Sequence, residues 1–275
     1  MLTLYHNAIS TCSQKVRLTL AEKEIEFVSK PIDLLAGQQH DPDYVKLNPK
    51  HVVPTLVDDG KVILDSSVIV EYLDSYRSNN ALTPADPYEK AQMRLWIKRV
   101  DEELHGKTTG VFTHSILTRK VMENRSEDEL EAYFAAIPDR SERELRRVLF
   151  SDGVKAPQFV AAVERMGKFL DDMEATLSES KWLIGDQYTL ADVSVIPYVF
   201  RLETACMDGF WRDGRRPHVE RWIHDMKGRR TFDAAIQEWL PKELLGALHA
   251  FGEMVRDEVE CVINGVEGRP NILLR

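Results

Sequence analysis

Ser10-Thr11-Cys12-Ser13 places three hydroxyls and one thiol on consecutive residues, directly after a short apolar run, Leu2 to Tyr5. The next residues, Gln14-Lys15-Val16-Arg17, continue into a helix whose apolar positions are Val16, Leu18, Leu20 and Ala21. The polar group therefore stands where a strand turns into a helix. A helix start carries unpaired backbone N–H groups and about half a positive charge. A thiolate placed there is stabilised. Ser10 and Ser13 have the C-x-x-C spacing of a thioredoxin-like redox motif with both cysteines replaced by serine. Dithiol–disulfide exchange within the motif is then impossible, and what remains suits holding the thiolate of another molecule. The same residues also make an ordinary Ser/Thr-rich helix cap, so both roles stand at this point.

The elements around this turn follow from pattern. Glu26 to Ile32 reads as a second strand, parallel to the first after a helical crossover. A polar loop and short helix, Gly37 to Leu47, carries Gln38, Gln39 and His40. Val52 to Val57 and Lys61 to Leu64 flank Asp59-Gly60, a strong hairpin signal. Pro54 has no N–H for a sheet ladder and belongs at the strand's entry. Asp65-Ser66-Ser67 opens a helix with Ile69, Tyr72, Leu73 and Tyr76 on one face. Strand, helix, strand, short helix, hairpin, helix is the thioredoxin arrangement, and it fills residues 1–77.

Residues 78–87 are polar, hold two prolines and read as a linker. Helical periodicity then runs from residue 88 to 240. Expected helices are Tyr88 to Thr118, Glu127 to Phe134, Ser141 to Phe150, Pro157 to Leu177, Thr189 to Phe200, Pro217 to Met226 and Thr231 to Trp239. Arg143, Arg146 and Arg147 interleave with Glu142 and Glu144, as on a solvated face. Thr189 and Asp192 form an acidic capping box, in which the Thr189 hydroxyl accepts from residue 192 and the carboxylate returns the bond. Residues 241–275 form a C-terminal extension, helical from Pro241 to Val262 and irregular from Asn264.

Composition bounds the function. The 275 residues allow one large or two small domains, and the hydrophobic share of 43% is ordinary for a globular chain. A net charge of −9 argues against non-specific nucleic-acid binding. Three scattered cysteines, Cys12, Cys206 and Cys261, suggest no disulfide framework, so a reducing cytoplasmic setting is expected. Met1 runs straight into a strand, with no signal peptide expected, and no apolar run is long enough to span a membrane. His40 and His51 lack further ligands at sensible spacing, so no metal is expected there.

The thioredoxin-like half followed by an all-helical half resembles the glutathione transferase superfamily. Ser10 to Leu18 is similar to the Ser-Ser-Cys-Ser-Trp-Arg-Val-Arg-Ile motif of the zeta class and to the Ser-x-Cys-Ser segment of tetrachlorohydroquinone reductive dehalogenase-like members. Gly37-Gln38-Gln39 precedes Asn48-Pro49 at the zeta-class spacing, and Val53-Pro54 matches the family's cis-proline site. Asp65-Ser66 matches its acidic-plus-Ser pair, and the capping box is a fifth match. Gln14 and Val52 depart from the zeta Trp and Gln, and the chain is longer in 115–156 and after 240.

The resemblance implies an enzyme, with glutathione as co-substrate and a small hydrophobic electrophile as its target. Ser10 is the expected thiol-activating hydroxyl, followed by Thr11, with Tyr5 a weaker option and Cys12 beside them. Val53, before cis-Pro54, would pair with the glutathione backbone. Ser66 would take the γ-glutamyl carboxylate and Asp65 the amine. Gln39, His40, Lys50 and His51 are candidates for the glycine carboxylate. Val111, Phe112, His114, Ser115, Tyr198 and Trp211 are candidates to line the electrophile site, each more simply explained by core packing. Transferase activity leads. Reductive dehalogenation, aryl-ether cleavage, cis–trans isomerisation and a non-catalytic binding module are the alternatives. A homodimer is implied by resemblance alone.

Overall fold

The computed structural model describes residues 1–34, 36–76 and 81–267. The chain divides into two compact units. The first comprises Met1–Asp101, Thr176–Val199 and Arg221–Pro241, and the second Glu102–Ala175, Phe200–Glu220 and the chain from Lys242 on.

The first unit begins with β1 (Leu2–His6), α1 (Thr11–Glu22), β2 (Val28–Pro31), α2 (Pro42–Leu47), β3 (Thr55–Asp58), β4 (Lys61–Leu64) and α3 (Ser66–Ser75). The sheet order is β2-β1-β3-β4. β1 runs parallel to β2 and antiparallel to β3, and β3 pairs antiparallel with β4. Leu2, Leu4 and His6 alternate inward along β1, and Leu4 lies opposite the buried Leu56. This is the expected thioredoxin-like arrangement. β2 is shorter than the expected Glu26 to Ile32, because Phe27 turns to stack on Trp239 before pairing begins. β3 starts at Thr55 rather than Val52, because the Val52 carbonyl accepts from the Tyr44 hydroxyl (2.6 Å) and Asn48 Nδ2 (2.8 Å) instead of a strand partner.

The remaining helices are α4 (Pro87–Arg99), α5 (Arg119–Met122), α6 (Glu127–Ala135), α7 (Arg140–Asp152), α8 (Pro157–Glu179), α9 (Leu190–Thr204), α10 (Pro217–Lys227), α11 (Arg230–Ala235) and α12 (Lys242–Glu267). None is long and apolar enough to cross a membrane among the described residues. The helix expected over Tyr88 to Thr118 is α-helical only to Arg99. Val100–Gly110 and Thr113–Thr118 are π-helical. Gly106, Thr108, Thr109 and Gly110 are poor α-formers, which weakens the tighter coil there. Of the segment 78–87, residues 78–80 lie outside the described residues. The rest is anchored: Leu82 donates its N–H to Asp74 and accepts from Leu190 N–H. Asp86 caps α4, with Pro87 in the first turn.

Four local expectations need correction. Arg143, Arg146 and Arg147 are half-buried and partnered rather than merely solvated. Arg143 holds the Ile137 carbonyl, Arg146 holds Glu142, and Arg147 holds Glu131 while lying over the Phe134 ring. In the capping box the Thr189 hydroxyl accepts from Ala191 N–H, not from residue 192. The Asp192 carboxylate does return to Thr189 N–H, and it also takes Leu183 N–H and the Trp222 indole N–H. The helix expected to reach Trp239 ends at Ala235, and Gln237–Trp239 is a 3-10 turn. α12 in turn continues through Asn264 to Glu267; residues 268–275 lie outside the described residues.

Candidate active site at the start of the first helix

Ser10 is the N-cap of α1. Its backbone is extended, its carbonyl accepts from Gln14 N–H (2.8 Å), and its hydroxyl accepts from Ser13 N–H (3.2 Å). The cap role is therefore real, and it is compatible with chemistry. A hydroxyl that accepts through a lone pair keeps its own proton to donate. Ser10 is half-buried, whereas Thr11, Cys12 and Ser13 are buried. The Ser13 hydroxyl accepts from Asn7 N–H and ties the turn to the end of β1.

Cys12 is 8% exposed and its sulfur sits 3.4 Å from the Tyr198 hydroxyl. Thr11 also hydrogen-bonds Tyr198. Burial, then the neighbouring Cys12, pushes the Tyr198 phenol well above its usual range, so it stays neutral. The sequence offers Tyr198 only as a candidate to line the electrophile site. In the fold it is a polar partner of both Thr11 and Cys12. Tyr5, the weaker hydroxyl candidate, instead packs its ring on Tyr44.

Two charged residues of α1 escaped notice in the sequence. Arg17 is 1% exposed and donates to Ala235 O (2.8 Å), Asn7 O (3.0 Å), Ala8 O (3.0 Å) and His6 Nδ1 (3.0 Å), with its guanidinium over the Trp239 ring. The carbonyls of Asn7 and Ala8 belong to the turn that delivers Ser10. Burial lowers Arg17 to about 9, still charged at neutral pH. Burial first, and Arg17 second, lower His6 to about 4, so its ring is neutral and can accept from Arg17. Lys15, fully buried, holds Ser67 Oγ (2.7 Å) and Asp101 (3.2 Å), and Ser67 donates to the same carboxylate (2.5 Å). This links α1 to the start of α3. A signal for both existed. Val16, Leu18 and Leu20 recur every second residue, which covers several faces of a helix. A helix buried all round forces its charges inside, where they need partners.

The other expected residues fall into two groups within the first unit. Val53 is buried, and its bond to Pro54 is cis as expected. Tyr44 and Asn48 fix this loop through Val52 O and Thr55 Oγ1. Asp65 caps α3 at φ +72°, its carboxylate accepting from Ser67 and Val68 N–H, and Ser66 is buried in the first turn. Asp65 is thus committed to the cap through one oxygen, and the other can still meet an amine. Farther along, Gln39 Nε2 contacts His40 Nε2 (3.1 Å), and His40 Nδ1 contacts His51 Nδ1 (3.1 Å). Gln39 Oε1 is buried with no hydrogen-bond partner in the structure. Lys50 is exposed beside them.

In the second unit Val111, Phe112, Ser115 and Trp211 are buried. Phe112 packs edge-on against Phe159, as core packing would have it. His114 bonds Thr118 Oγ1, and burial with Arg146 lowers it to about 3.

Two family models match the chain: glutathione S-transferase, N-terminal domain, over residues 9–75, and glutathione S-transferase, C-terminal domain, over residues 124–225. Protein LigF of Sphingobium sp. (strain NBRC 103272 / SYK-6) is 31% identical over 250 residues, 89% of this chain and 96% of that protein. Tetrachloro-p-hydroquinone reductive dehalogenase of Sphingobium chlorophenolicum is 29% identical, over 85% of this chain and 94% of the relative. The crystal structure of the β-etherase LigF superposes with a TM-score of 0.77 at 27% identity, covering 86% of this chain and 99% of the other. With the serine-capped helix start, the cis-proline loop and the Asp-Ser helix start in place, these matches show that the chain belongs to the glutathione S-transferase family.

Proposed function

We propose that this protein activates the glutathione thiol at Ser10 and directs the thiolate at an electrophilic carbon that carries an aryl-oxide or halide leaving group. The observation that carries this reading is the division of labour at the α1 start. The half-buried Ser10 hydroxyl stands at the helix end, while the Cys12 sulfur is buried on Tyr198. A buried sulfur hydrogen-bonded to a phenol is poorly placed to be a second nucleophile.

The energetics are sufficient. A free thiol has a pKa of about 8.5, and each unit costs about 1.36 kcal/mol. A hydrogen bond to a charged acceptor contributes about 1.5–3 kcal/mol, and a helix start up to about 2 kcal/mol. One hydroxyl and the helix end therefore lower the thiol by roughly 2–3 units. Val53 would pair with the peptide backbone of glutathione. Ser66 and the α3 start would hold the γ-glutamyl carboxylate, Asp65 the amine, and the Gln39, His40, Lys50 and His51 group the glycine carboxylate. In the displacement the sulfur–carbon bond forms as the carbon–oxygen or carbon–halogen bond breaks. The leaving group departs with the electron pair, and nothing is oxidised or reduced.

The named relatives, a β-etherase and a reductive dehalogenase, set the two substrates to try. The protein is incubated with glutathione and either an aryl ether or a chlorinated hydroquinone, and the products are identified by mass spectrometry. A glutathione thioether equal in amount to the released phenol or halide is expected. Glutathione disulfide equal to the leaving group, with a glutathionyl adduct on Cys12, would replace this mechanism by a reductive one. Absence of any turnover would leave a non-catalytic glutathione-binding module.

A further inference from the structure

The second unit carries a group of side chains that the glutathione reading does not use. Cys206 ends the turn after α9, and His249 and Glu253 lie one helical turn apart on α12. The Cys206 sulfur, a ring nitrogen of His249 and a carboxylate oxygen of Glu253 all lie within 4.8 Å of one another. His249 Nε2 is 3.9 Å from Glu253 Oε1. The Cys206 thiol points at this helix, donating to the His249 carbonyl at 3.4 Å.

The backbone brings α12 close here at two visible costs. Cys206 adopts φ +55°, a conformation ordinarily left to glycine. Gly252 sits in the interior of α12, where a Cβ would fall 2.4 Å from the Ala205 carbonyl oxygen and 3.0 Å from Cys206 Cβ. A glycine at that point lets the helix approach the Cys206 turn. It sets His249 and Glu253 against the sulfur.

We propose that Cys206, His249 and Glu253 form a binding site for a divalent cation of the zinc class, with a fourth position open to water. The donor set is one thiolate, one imidazole and one carboxylate, which suits zinc and not magnesium or calcium. Zinc bonds of about 2.0–2.3 Å put tetrahedral donors roughly 3.3–3.8 Å apart, so donors that now lie within 4.8 Å of one another close by up to about 1–1.5 Å on binding. Cys206 is buried, whereas the His249 and Glu253 side chains are 62% and 44% exposed, which gives the ion a path in. On binding, the Cys206 thiol loses its proton to solvent and the sulfur–metal bond forms. Glu253 turns from Arg256, which holds it through two bonds. Arg256 keeps its other partner, Asp208, at 3.1 Å. The bound ion would clip α12 to the Cys206 turn. The sequence concealed the site because Cys206 and His249 are 43 residues apart.

The test uses the full-length reduced chain without glutathione, titrated with cobalt(II) as the probe. A thiolate-to-cobalt charge-transfer band saturating at one ion per chain is expected, with competition by zinc. Cys206→Ser should abolish the band. His249→Ala and Glu253→Gln, both at exposed positions, should weaken binding by ~10-fold or more. Cys12→Ser and Cys261→Ser should leave the band intact. Arg256→Ala should tighten binding, because it frees Glu253. No band on the wild-type chain, or a band that survives His249→Ala at full affinity, would overturn the proposal. So would weaker binding in Arg256→Ala. None of these readouts depends on glutathione chemistry.

Discussion

Replacing Arg17 by Met would probe how the Ser10 turn is held. Met preserves the apolar stem but removes the charge and every donor. Three acceptors lose their partner, the carbonyls of Asn7 and Ala235 and Nδ1 of His6, while the Ala8 carbonyl keeps Gln14 Nε2 at 3.4 Å. Each buried group left unsatisfied costs about 1–3 kcal/mol, roughly 3–9 kcal/mol together before relaxation. Against this stands relief of a desolvated charge. Burial lowers Arg17 from 12.5 to about 9, and at about 1.36 kcal/mol per unit this is roughly 5 kcal/mol. The two terms largely offset, so the net expectation is a destabilisation centred at about 1 kcal/mol and reaching at most about 4 kcal/mol, read by urea unfolding. Turnover should fall by ~10-fold or more, since a small misplacement of a reacting group is expensive. Arg17→Lys, with its charge kept and its planar fork lost, should lie between. In Arg17→Met the His6 ring, followed by NMR, should titrate above its wild-type value of about 4 and still below 6.5, because burial is the larger cause. Wild-type stability and turnover in Arg17→Met would refute the clamp.

Three further outcomes follow from the same geometry. Ser10→Ala should raise the pKa of bound glutathione by about 1–2 units and also cost about 0.5–2 kcal/mol of stability as a lost cap; thiolate absorbance and thermal unfolding separate the two effects. Tyr198→Phe should keep turnover within a few-fold and cost about 1 kcal/mol, since the phenol supports Thr11 and Cys12 rather than the thiol. A collapse in steady-state rate there would move Tyr198 into the chemistry. Asp192 is raised by burial from 3.8 to about 6, so the folded chain binds this proton more tightly than the unfolded one. Its contribution is greatest below 3.8 and falls by about 3 kcal/mol as pH rises to 6. His6 and His114, held below 6.5, lose stability in the opposite direction, as pH falls below 6.5. Unfolding curves of wild type minus Asp192→Asn, taken across this range, should isolate the falling limb.

Much of the first unit was readable from residue order. The apolar run Leu2 to Tyr5, Asp59-Gly60 between two apolar runs and Asp65-Ser66 before an apolar helix are local signals, and local physics decides them. What escaped depends on distance. Lys15 and Arg17 look like surface charges until α1 is found buried on every side, and their partners Asp101 and Ala235 lie far along the chain. Tyr198 shows its role only when α9 brings it to Cys12. The π-helical stretch after Arg99 keeps a helical apolar period and differs only in its coil, which glycine and threonine content hints at without specifying.

The claim on which the rest depends is that the start of α1 holds glutathione as a thiolate. Glutathione is bound to the wild-type protein and its ultraviolet thiolate absorbance is titrated from acid to alkaline pH. The account predicts a midpoint roughly 2–3 units below that of the free thiol, with most of the bound glutathione ionised at neutral pH. A midpoint at the free-thiol value of about 8.5, with glutathione demonstrably bound, would contradict it.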